Sequence, residues 1–162
     1  MSELTVRSMT EGEFDRWRAG IVRAFADAQV AAGNWPAEEA QELAQQGNDA
    51  LLPAGFGTPG MLFLTGELRD GTPIGVLWIG LTHPRGVPDC AFLYDIEIGA
   101  DHRGAGYGRA LLAAGEDAVR RHGVGAIELN VFGDNARAVG LYGSSGYRVV
   151  TQQMRKTLVA QQ

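Results

Sequence analysis

Hydrophobic and polar positions follow two different periods along this chain, and each period predicts a type of element. Near the N-terminus, apolar residues recur three and four positions apart, which places them on one face of a helix. The members of this stripe are Phe14, Trp17, Ile21, Phe25 and Ala28. Thr10 to Glu13 has the pattern of a capping box, so this helix should begin there and end at Gly33. A second helix should begin near Pro36 and run to Pro53.

Apolar runs bounded by turn residues predict strands in the rest of the chain. The predicted strands are Leu4 to Arg7, Met61 to Glu67, Ile74 to Leu81, Asp89 to Ile98, Ala126 to Phe132 and a final extended segment from Tyr147 to Leu158. Helices predicted at about 109–122 and 135–145 separate the last three strands. This order predicts a mixed α/β fold with helices on both faces of one sheet, in a single domain spanning residues 1–162.

Charge and segment composition exclude several classes of partner. The chain has 14 Lys and Arg against 19 Asp and Glu, a net charge of -5, and no basic run that would track phosphates. We therefore expect neither nucleic acid nor membrane as a partner. The N-terminus lacks a basic stretch followed by an apolar one, and no apolar run approaches the ~20 residues of a membrane span. A cytoplasmic location is expected.

The cysteine and histidine content argues against a metal centre. Cys90 is the single cysteine, so neither an internal disulfide nor a cysteine-built metal site is expected. Its place before an apolar run favours a small buried residue over an acyl-carrying nucleophile. His83, His102 and His122 share no metal-ligand spacing, and we expect all three at the surface.

A glycine-rich run, Arg103-Gly104-Ala105-Gly106-Tyr107-Gly108, lies between a predicted strand and a predicted helix. Glycines let the backbone approach a ligand, and successive N–H groups at the positive end of a helix can hold a diphosphate. The run lacks the Gly-Lys-Ser/Thr of a P-loop, and Arg109 stands where a dinucleotide fingerprint needs its third glycine. A phosphate-bearing cofactor is predicted, with a tight strand-to-helix turn as the alternative.

A second motif lies on the last predicted helix, where Asn135, Ala138 and Tyr142 share one face. Asn135 stands where an N-cap would stand, and Tyr142 is either an interior aromatic or a reactive hydroxyl. The spacing leaves these alternatives open.

Together the two motifs resemble those of the GNAT superfamily of N-acetyltransferases. The family's Arg/Gln-x-x-Gly-x-Gly/Ala loop is matched by Arg103, Gly106 and Gly108. Its Asn-x-x-Ala-x-x-x-Tyr-x-x-x-Gly-Tyr/Phe segment is matched by Asn135, Ala138, Tyr142, Gly146 and Tyr147. The resemblance runs from about Phe92 to Lys156 and is greatest to bacterial members of poorly defined substrate.

The resemblance implies a largely antiparallel sheet that splays between its fourth and fifth strands, and acetyl-CoA as the co-substrate, without a metal. Backbone amides of the glycine run would hold the diphosphate, main-chain groups of β-strand four would pair with the pantetheine arm, and Asn135 would bond to that arm. The implied cofactor-binding residues are Ile96, Ile98, Ala100, Arg103, Gly104, Ala105, Gly106, Tyr107, Gly108, Ala110, Asn135, Ala138 and Tyr142. The N–H of Ile98 or its neighbour would face the acetyl carbonyl as an oxyanion hole.

The implied reaction is direct acetyl transfer to a primary amine of a small molecule or peptide. Tyr142 matches the family tyrosine that protonates the departing thiolate. For the base we prefer Glu97, beside the oxyanion-hole residue; Asp95, on the same strand face, and a water chain through Tyr94 are alternatives. Asn130 stands where some members carry a glutamate base, so that source of catalysis is missing.

Several questions stay open at the level of sequence. A non-catalytic acyl-CoA sensor or docking module with the same fold is the alternative function. The acceptor amine and the acyl-chain length are undetermined. Family members often pair, so a homodimer is also open, and Ala100 replaces a residue that is often proline. Trp35 is either a substrate wall or a packing aromatic.

Overall fold

The order of helices and strands agrees with the sequence prediction up to the last helix. The computed structural model describes residues 3–159. Its elements are β1 (Leu4–Ser8), α1 (Glu11–Ala31), α2 (Ala37–Leu51), β2 (Met61–Leu68), β3 (Pro73–Gly80), β4 (Cys90–Ile98), α3 (Tyr107–Arg121), β5 (Ala126–Leu129) and α4 (Ala136–Ser144). Short 3-10 helices occupy Gly55–Gly57 and Ala100–His102. Within this described range, no helix combines the length and apolar character of a membrane span.

Helix α1 starts at the predicted capping box, which also ties the helix to β1. The Thr10 hydroxyl accepts the N–H of Glu13 at 3.1 Å, and the Glu13 carboxylate accepts the N–H of Thr10 at 2.8 Å. Arg7 on β1 ion-pairs with Glu13 at 2.8 Å. Hydrogen bonding to Arg7, its largest cause, lowers the pKa of Glu13 to about 2, so the contact persists over the whole physiological pH range.

The five strands form one sheet in the order β1-β2-β3-β4-β5, antiparallel except for the parallel pair β4-β5. Neighbouring residues of β3 enter different cores, because side chains alternate between the faces of a strand. Leu77 and Ile79 pack in the cluster beneath α3, whereas Trp78 packs in the aromatic cluster beneath α1. Helices therefore cover both faces, as predicted.

The apolar stripe of α1 is partly corrected by the structure. Phe14 and Trp17 are buried as expected, but Phe25 is 43% exposed. Val22 and Ala26 are buried in its place, in a cluster with residues of α2. The reason is that the C-terminal half of α1 packs against α2, so its buried face turns away from the sheet.

The C-terminal end differs most from the prediction. Strand β5 stops at Leu129 instead of Phe132, and residues 147–158 do not form a strand. Val149, Val150 and Met154 are exposed there. Strand propensity measures how well side chains fit a pleated surface, so a β-favouring segment that pairs with no neighbour does not become a strand.

Gly75 marks the tightest approach between β3 and its surroundings. A Cβ at this position would lie 2.6 Å from the Glu97 carbonyl oxygen and 3.0 Å from Leu111 Cδ2. We predict that Gly75→Ala lowers the free energy of unfolding by about 1–3 kcal/mol, because backbone atoms must move. The control Gly20→Ala, on an open face of α1, should raise it by about 0.5–1 kcal/mol. Urea unfolding followed by circular dichroism measures both, and a Gly75→Ala protein as stable as wild type would contradict the prediction.

Candidate active site

Strands β4 and β5 separate in the middle of the sheet. Their pairing runs only from Cys90 opposite Ala126 to Leu93 opposite Leu129. Strand β4 continues to Ile98, so within residues 3–159 its residues 95–98 have a strand partner on the β3 side alone. An edge of this kind offers unpaired N–H and C=O groups to any extended ligand that lies along it.

A β-bulge begins where this separation begins. Trp78 of β3 pairs with Asp95 and Ile79 pairs with Leu93, so Tyr94 is the extra residue of β4. Without the bulge, alternation would place Asp95 on the same face as Leu93, which packs beneath α3. With the bulge, Tyr94 and Asp95 both lie on the face covered by α1.

Asp95 is a partly buried carboxylate held by one indole. The Trp17 Nε1–H donates a hydrogen bond to its Oδ2 at 2.9 Å. Burial raises the pKa of Asp95 to about 6, helped by the charge of Glu97 and opposed by the bond from Trp17. A carboxylate with a raised pKa is a stronger base that is still mostly ionised at pH 7.

Tyr142 on α4 lies within electrostatic reach of this carboxylate. Burial raises the pKa of the Tyr142 hydroxyl, and the negative charge of Asp95 raises it further. Its ring packs against that of Tyr147, with centroids 5.7 Å apart and nearly perpendicular planes. The hydroxyl therefore stays protonated near neutral pH, which is the form that can donate a proton.

Two contacts fix α4, and with it Tyr142, against α3. The Arg109 guanidinium donates to the hydroxyls of Ser144 and Ser145 at 2.8 and 3.1 Å. The Tyr147 hydroxyl donates to the Glu116 carboxylate at 2.8 Å. These contacts join the C-terminal end of α4 to the first and third turns of α3.

Glu97 occupies a different environment from Asp95, although both lie on the same face of β4. Its side chain is 62% exposed, and its carboxylate is 3.9 Å from the Arg103 guanidinium. The Tyr94 ring stacks on Trp78 with a centroid separation of 4.4 Å. Asp95 thus lies within electrostatic reach of Tyr142, whereas Glu97 lies at the outer end of the strand. Both base roles, and the water chain through Tyr94, stay predictions.

The glycine-rich run makes the turn into α3. Gly104 and Gly106 have φ of 81° and 82°, a left-handed conformation that favours glycine. No side chain in the described chain caps this end of α3, so its first-turn N–H groups remain available to an anion. Arg103 Nε donates to the Ile98 carbonyl at 3.0 Å, which places the run at the end of the free edge of β4.

The remaining predicted cofactor-binding residues border this region. Ile96 and Ile98 are partly buried against the cluster beneath α3, and Ala100 opens the 3-10 helix before the run. Ala110, within α3, donates its N–H to the Gly106 carbonyl at 3.3 Å. Ala105 is exposed, whereas Tyr107 and Gly108 are partly buried in the first turn of α3.

Asn135 is the N-cap of α4, as one of the sequence alternatives predicted. Its Oδ1 accepts the N–H of Ala138 at 3.2 Å. This bond uses the side-chain oxygen and leaves the amide nitrogen as the group available to a ligand. A contact of Asn135 with pantetheine stays a prediction.

Sequence analysis did not predict the role of Trp17. The helical period placed it in the core, and its indole is indeed 9% exposed. Its hydrogen bond, however, reaches Asp95, 78 positions away. The one signal for this bond in the sequence was the predicted burial of Trp17, because the N–H of a buried tryptophan generally needs an acceptor.

The expectation that His83 lies at the surface is wrong, because its side chain is fully buried. The backbone N–H of Arg85 donates to His83 Nδ1 at 3.0 Å, so that atom holds no proton and Nε2 carries it. Nε2 faces the Glu128 carboxylate at 3.0 Å, which Arg85 also contacts at 3.1 Å. Cys90, buried as expected, has its thiol within 4.8 Å of these groups. A metal ion would bind through the Nε2 lone pair, which is not available while Nε2 carries the proton. The geometry instead favours a structural hydrogen bond that joins the β3–β4 loop to β5.

Known proteins share both the sequence and the fold of this chain. A family model described as the acetyltransferase (GNAT) family matches residues 21–147. YycN of Bacillus subtilis (strain 168), described as an uncharacterized N-acetyltransferase, is 33% identical over 150 residues, 93% of this chain and 96% of that protein. YdgE of the same organism, with the same description, is 30% identical over 154 residues, 95% of this chain and 98% of that protein.

Solved structures agree with the architecture. The crystal structure of YycN from Bacillus subtilis has a TM-score of 0.90 and 32% identity, covering 97% of this chain and 99% of that chain. The PaiA N-acetyltransferase of Thermoplasma acidophilum, solved in complex with coenzyme A, has a TM-score of 0.63 and 15% identity, covering 93% of each chain. At that identity the second likeness shows the fold alone.

The raised pKa of Asp95 predicts that this carboxylate destabilises the folded state. The folded protein binds the Asp95 proton more tightly than the unfolded chain, whose pKa is about 3.9, so stability falls as pH rises from about 4 to about 6. Asp95→Asn should therefore raise the melting temperature at pH 8, by the equivalent of about 1–3 kcal/mol, and the gain should vanish below pH 4. The asparagine still accepts the bond from Trp17.

Glu97→Gln is the matched control, because it removes an exposed carboxylate from the same strand face. Its melting temperature at pH 8 should change much less than that of Asp95→Asn, because the charge of Glu97 contributes less than burial to the raised pKa of Asp95. Melting curves followed by circular dichroism give the comparison, and an Asp95→Asn protein that melts no higher than wild type at pH 8 would contradict the assignment of a desolvated carboxylate.

Proposed function

The chain belongs to the acetyltransferase (GNAT) family, and we propose that it transfers the acetyl group of acetyl-CoA to a primary amine of a small molecule or peptide. The observation that carries this proposal is the gap between β4 and β5, which opens beside Asp95, a carboxylate whose charge reaches the Tyr142 hydroxyl. One group can accept a proton there and the other can donate one. Acyltransferase activity is what relatives of this family are named for.

The proposal that acetyl-CoA is the acyl donor is supported by the shape of the backbone. The left-handed glycines and uncapped N–H groups at the start of α3 fit an anionic diphosphate. The free edge of β4 at residues 94–98 fits an extended arm that forms hydrogen bonds as a strand does. When bound, acetyl-CoA supplies the activated acetyl group that the amine attacks directly.

A base is needed because the acceptor is mostly protonated. An amine with a pKa of about 10.4 is neutral about once in 2,500 molecules at pH 7, equivalent to about 4.6 kcal/mol. The surroundings of Asp95 favour it for this role, since its pKa of about 6 combines ionisation at neutral pH with raised basicity. Glu97, preferred from the sequence, remains the competing candidate and would act from the exposed end of the strand.

Tyr142 is the proposed acid for the departing thiolate. A thiol has an ordinary pKa of about 8.5 and a tyrosine one of about 10, so the departing thiolate takes the proton from Tyr142 against a difference in pKa that burial of the hydroxyl widens. Burial keeps the Tyr142 hydroxyl protonated, and the contacts of Arg109 and Tyr147 hold α4 in place.

The electrostatics of the cleft favour a cationic acceptor. Asp95 and Glu97 lie on one strand face, and the Trp17, Trp78 and Tyr94 rings pack beside them. Two carboxylates raise the local concentration of an ammonium group, while aromatic faces attract it. Cytoplasmic location, homodimer formation and the lack of nucleic-acid, membrane and metal partners stay predictions.

The function is tested by release of free thiol from acetyl-CoA in the presence of amines. A panel of polyamines, aminoglycosides, lysine-containing peptides and peptide N-termini is incubated with the protein, and coenzyme A thiol is measured. We expect release that depends on at least one amine. Binding of acetyl-CoA without release for any amine would instead support the sensor module.

The diphosphate assignment predicts that Gly106→Asp removes stabilisation by acetyl-CoA. At 100 times its dissociation constant, a ligand adds about 2.7 kcal/mol to stability, and a carboxylate at this turn would repel the diphosphate. Gly123→Asp is the matched control, since Gly123 also has a left-handed φ, 77°, but lies at the other end of α3. Both variants should melt below wild type, and only Gly123→Asp should recover the full ligand-induced shift. Equal shifts in both would make the run a simple turn.

The acid assignment predicts that Tyr142→Phe lowers turnover about 10²-fold and leaves the acetyl-CoA thermal shift intact. Tyr147→Phe is the control, because it removes a hydroxyl from the adjacent ring and breaks only the bond to Glu116. The bonds of Arg109 to Ser144 and Ser145 still hold α4 in that variant, so it should lose stability but far less of its rate than Tyr142→Phe. Steady-state kinetics at saturating acetyl-CoA decide the matter, and an undiminished Tyr142→Phe rate would make Tyr142 a packing residue.

The two candidate bases are separated by pH-rate profiles. If Asp95 accepts the amine proton, wild-type kcat/KM should fall tenfold per pH unit below about pH 6, because protonated Asp95 cannot act. Asp95→Asn should lose the inflection near pH 6, because its rate then follows the fraction of free amine up to the pKa of the amine. Its rate is therefore depressed at pH 7, and the deficit shrinks toward that pKa. Glu97→Gln should keep the wild-type profile. The reverse pattern would assign the base to Glu97.

A further inference from the structure

The indole of Trp17 is held by other rings on the path by which it reaches Asp95. Its ring lies 5.7 Å from the rings of Phe14 and Phe63 and 5.4 Å from that of Trp78, centroid to centroid. The residue is 9% exposed, in a cluster to which α1, β2 and β3 all contribute. Dense packing leaves a large flat ring a single orientation, so the core sets the direction of its N–H.

Trp17 supplies the one recorded side-chain hydrogen bond to Asp95 among the described residues. Its Nε1–H donates to Oδ2 at 2.9 Å. Trp78 pairs with Asp95 across the strands, but its own Nε1–H donates to Met61 Sδ at 3.4 Å. The two neighbouring indoles therefore have different partners, and that of Trp17 is the one that orients the carboxylate.

This bond makes the two oxygens of the Asp95 carboxylate unequal. An indole N–H donates and cannot accept, so it needs Oδ2 as an acceptor whether Asp95 is ionised or neutral. A proton that arrives at the carboxylate therefore goes to Oδ1, and Oδ2 becomes the carbonyl oxygen, which still accepts the same N–H. Since the bond survives the change of charge, the group needs no reorganisation when it takes up a proton.

The charges around Asp95 show what the loss of this bond would do. Among the described residues, the ionisable groups that interact with it are Glu97 on its own strand and the Tyr142 hydroxyl on α4; α1 and β3 face it with neutral indoles. Burial and the charge of Glu97 raise the pKa of Asp95, whereas the bond from Trp17 and the N–H of Ile96 lower it. Without the indole N–H, the pKa of Asp95 should therefore rise further.

We propose that Trp17 is a positioning residue for acetyl transfer: its N–H holds Asp95 so that Oδ1 faces the cleft and receives the proton of the acceptor amine. This inference rests on the proposed function and deepens it, because it says how the base is aimed. The acceptor ammonium gives its proton to Oδ1 and keeps the bonding electron pair on nitrogen. The neutral amine then attacks the acetyl carbonyl. Trp17 acts through Asp95 and needs no contact with the amine.

An isosteric analogue separates the N–H of Trp17 from its ring. β-(3-Benzothienyl)alanine has sulfur in place of the indole N–H and nearly the same shape, so in place of Trp17 it should fill the cluster and lose the bond to Asp95. We expect kcat to fall about 10- to 100-fold, because the base is no longer aimed. The inflection of kcat/KM near pH 6 should move upward by about one pH unit, the equivalent of a lost hydrogen bond to a charged group. Trp17→Phe, which also lacks the N–H, should shift it in the same direction.

The same analogue in place of Trp78 is the matched control. It removes an N–H from the same cluster, but that N–H is bonded to Met61, so the inflection should stay at the wild-type pH. Any loss should appear in the melting temperature instead. Carbon-13 NMR of labelled aspartate carboxyls follows the titration of Asp95 without turnover, and the loss of one signal in Asp95→Asn assigns it.

An upward shift of both the NMR titration and the rate profile, in the Trp17 analogue and not in the Trp78 analogue, would support the proposal. If neither moves in the Trp17 analogue, Trp17 is a packing residue and the proposal is wrong. If the NMR titration moves and the rate profile does not, Asp95 is not the base, and the proposal fails for that reason. A wild type without amine-dependent thiol release refutes the proposed function itself, and with it the step that Trp17 is proposed to serve.

Discussion

The extra residue in β4 is the constraint on which the rest of the site depends. Pairing with β5 stops at Leu93, and the next residue, Tyr94, is the one without a partner on β3. The same bulge therefore coincides with the opening of the sheet and turns Asp95 from the α3 core toward α1. A bulge re-aims every side chain that follows it, so a regular strand that kept Tyr94 would turn this carboxylate into the aliphatic core beneath α3.

The face of the sheet that α1 covers holds the Asp95 carboxylate, and burying this charge lowers the stability of the folded protein. Asp95 lies beside an aromatic cluster, and its single recorded side-chain partner is the neutral indole of Trp17. A cationic partner would lower its pKa, whereas an indole orients the carboxylate and leaves it basic. Proteins commonly retain such strain where a reactive group is needed. On the other face, aliphatic packing around Leu77, Ile79 and Leu111 provides the stability that the cleft side lacks.

Local patterns predicted most of the fold, and long-range contacts account for what they missed. The capping box at Thr10, the turn at Gly104 and Gly106 and the cap at Asn135 were predictable, because each depends on residues within a few positions. The bulge was not, since it depends on the register between β3 and β4. The bond from Trp17 to Asp95 and the burial of His83 join distant parts of the chain, and no local period records them. The prediction of a strand over residues 147–158 failed for a different reason. The composition of this segment favours a strand, but a strand also needs an edge to pair with.

The contact between Trp17 and Asp95 also gives the molecule an internal optical indicator. A charge appearing next to an indole shifts the energy of its excited state, and the effect falls with distance. The chain has three tryptophans. The Trp17 indole is hydrogen-bonded to the Asp95 carboxylate, and the Trp78 ring lies next to Trp17 with a centroid separation of 5.4 Å. Trp35 packs on Phe25 instead. The intrinsic emission of the unlabelled protein should therefore follow the ionisation of Asp95, and the arrival of a cation beside it, without any attached dye.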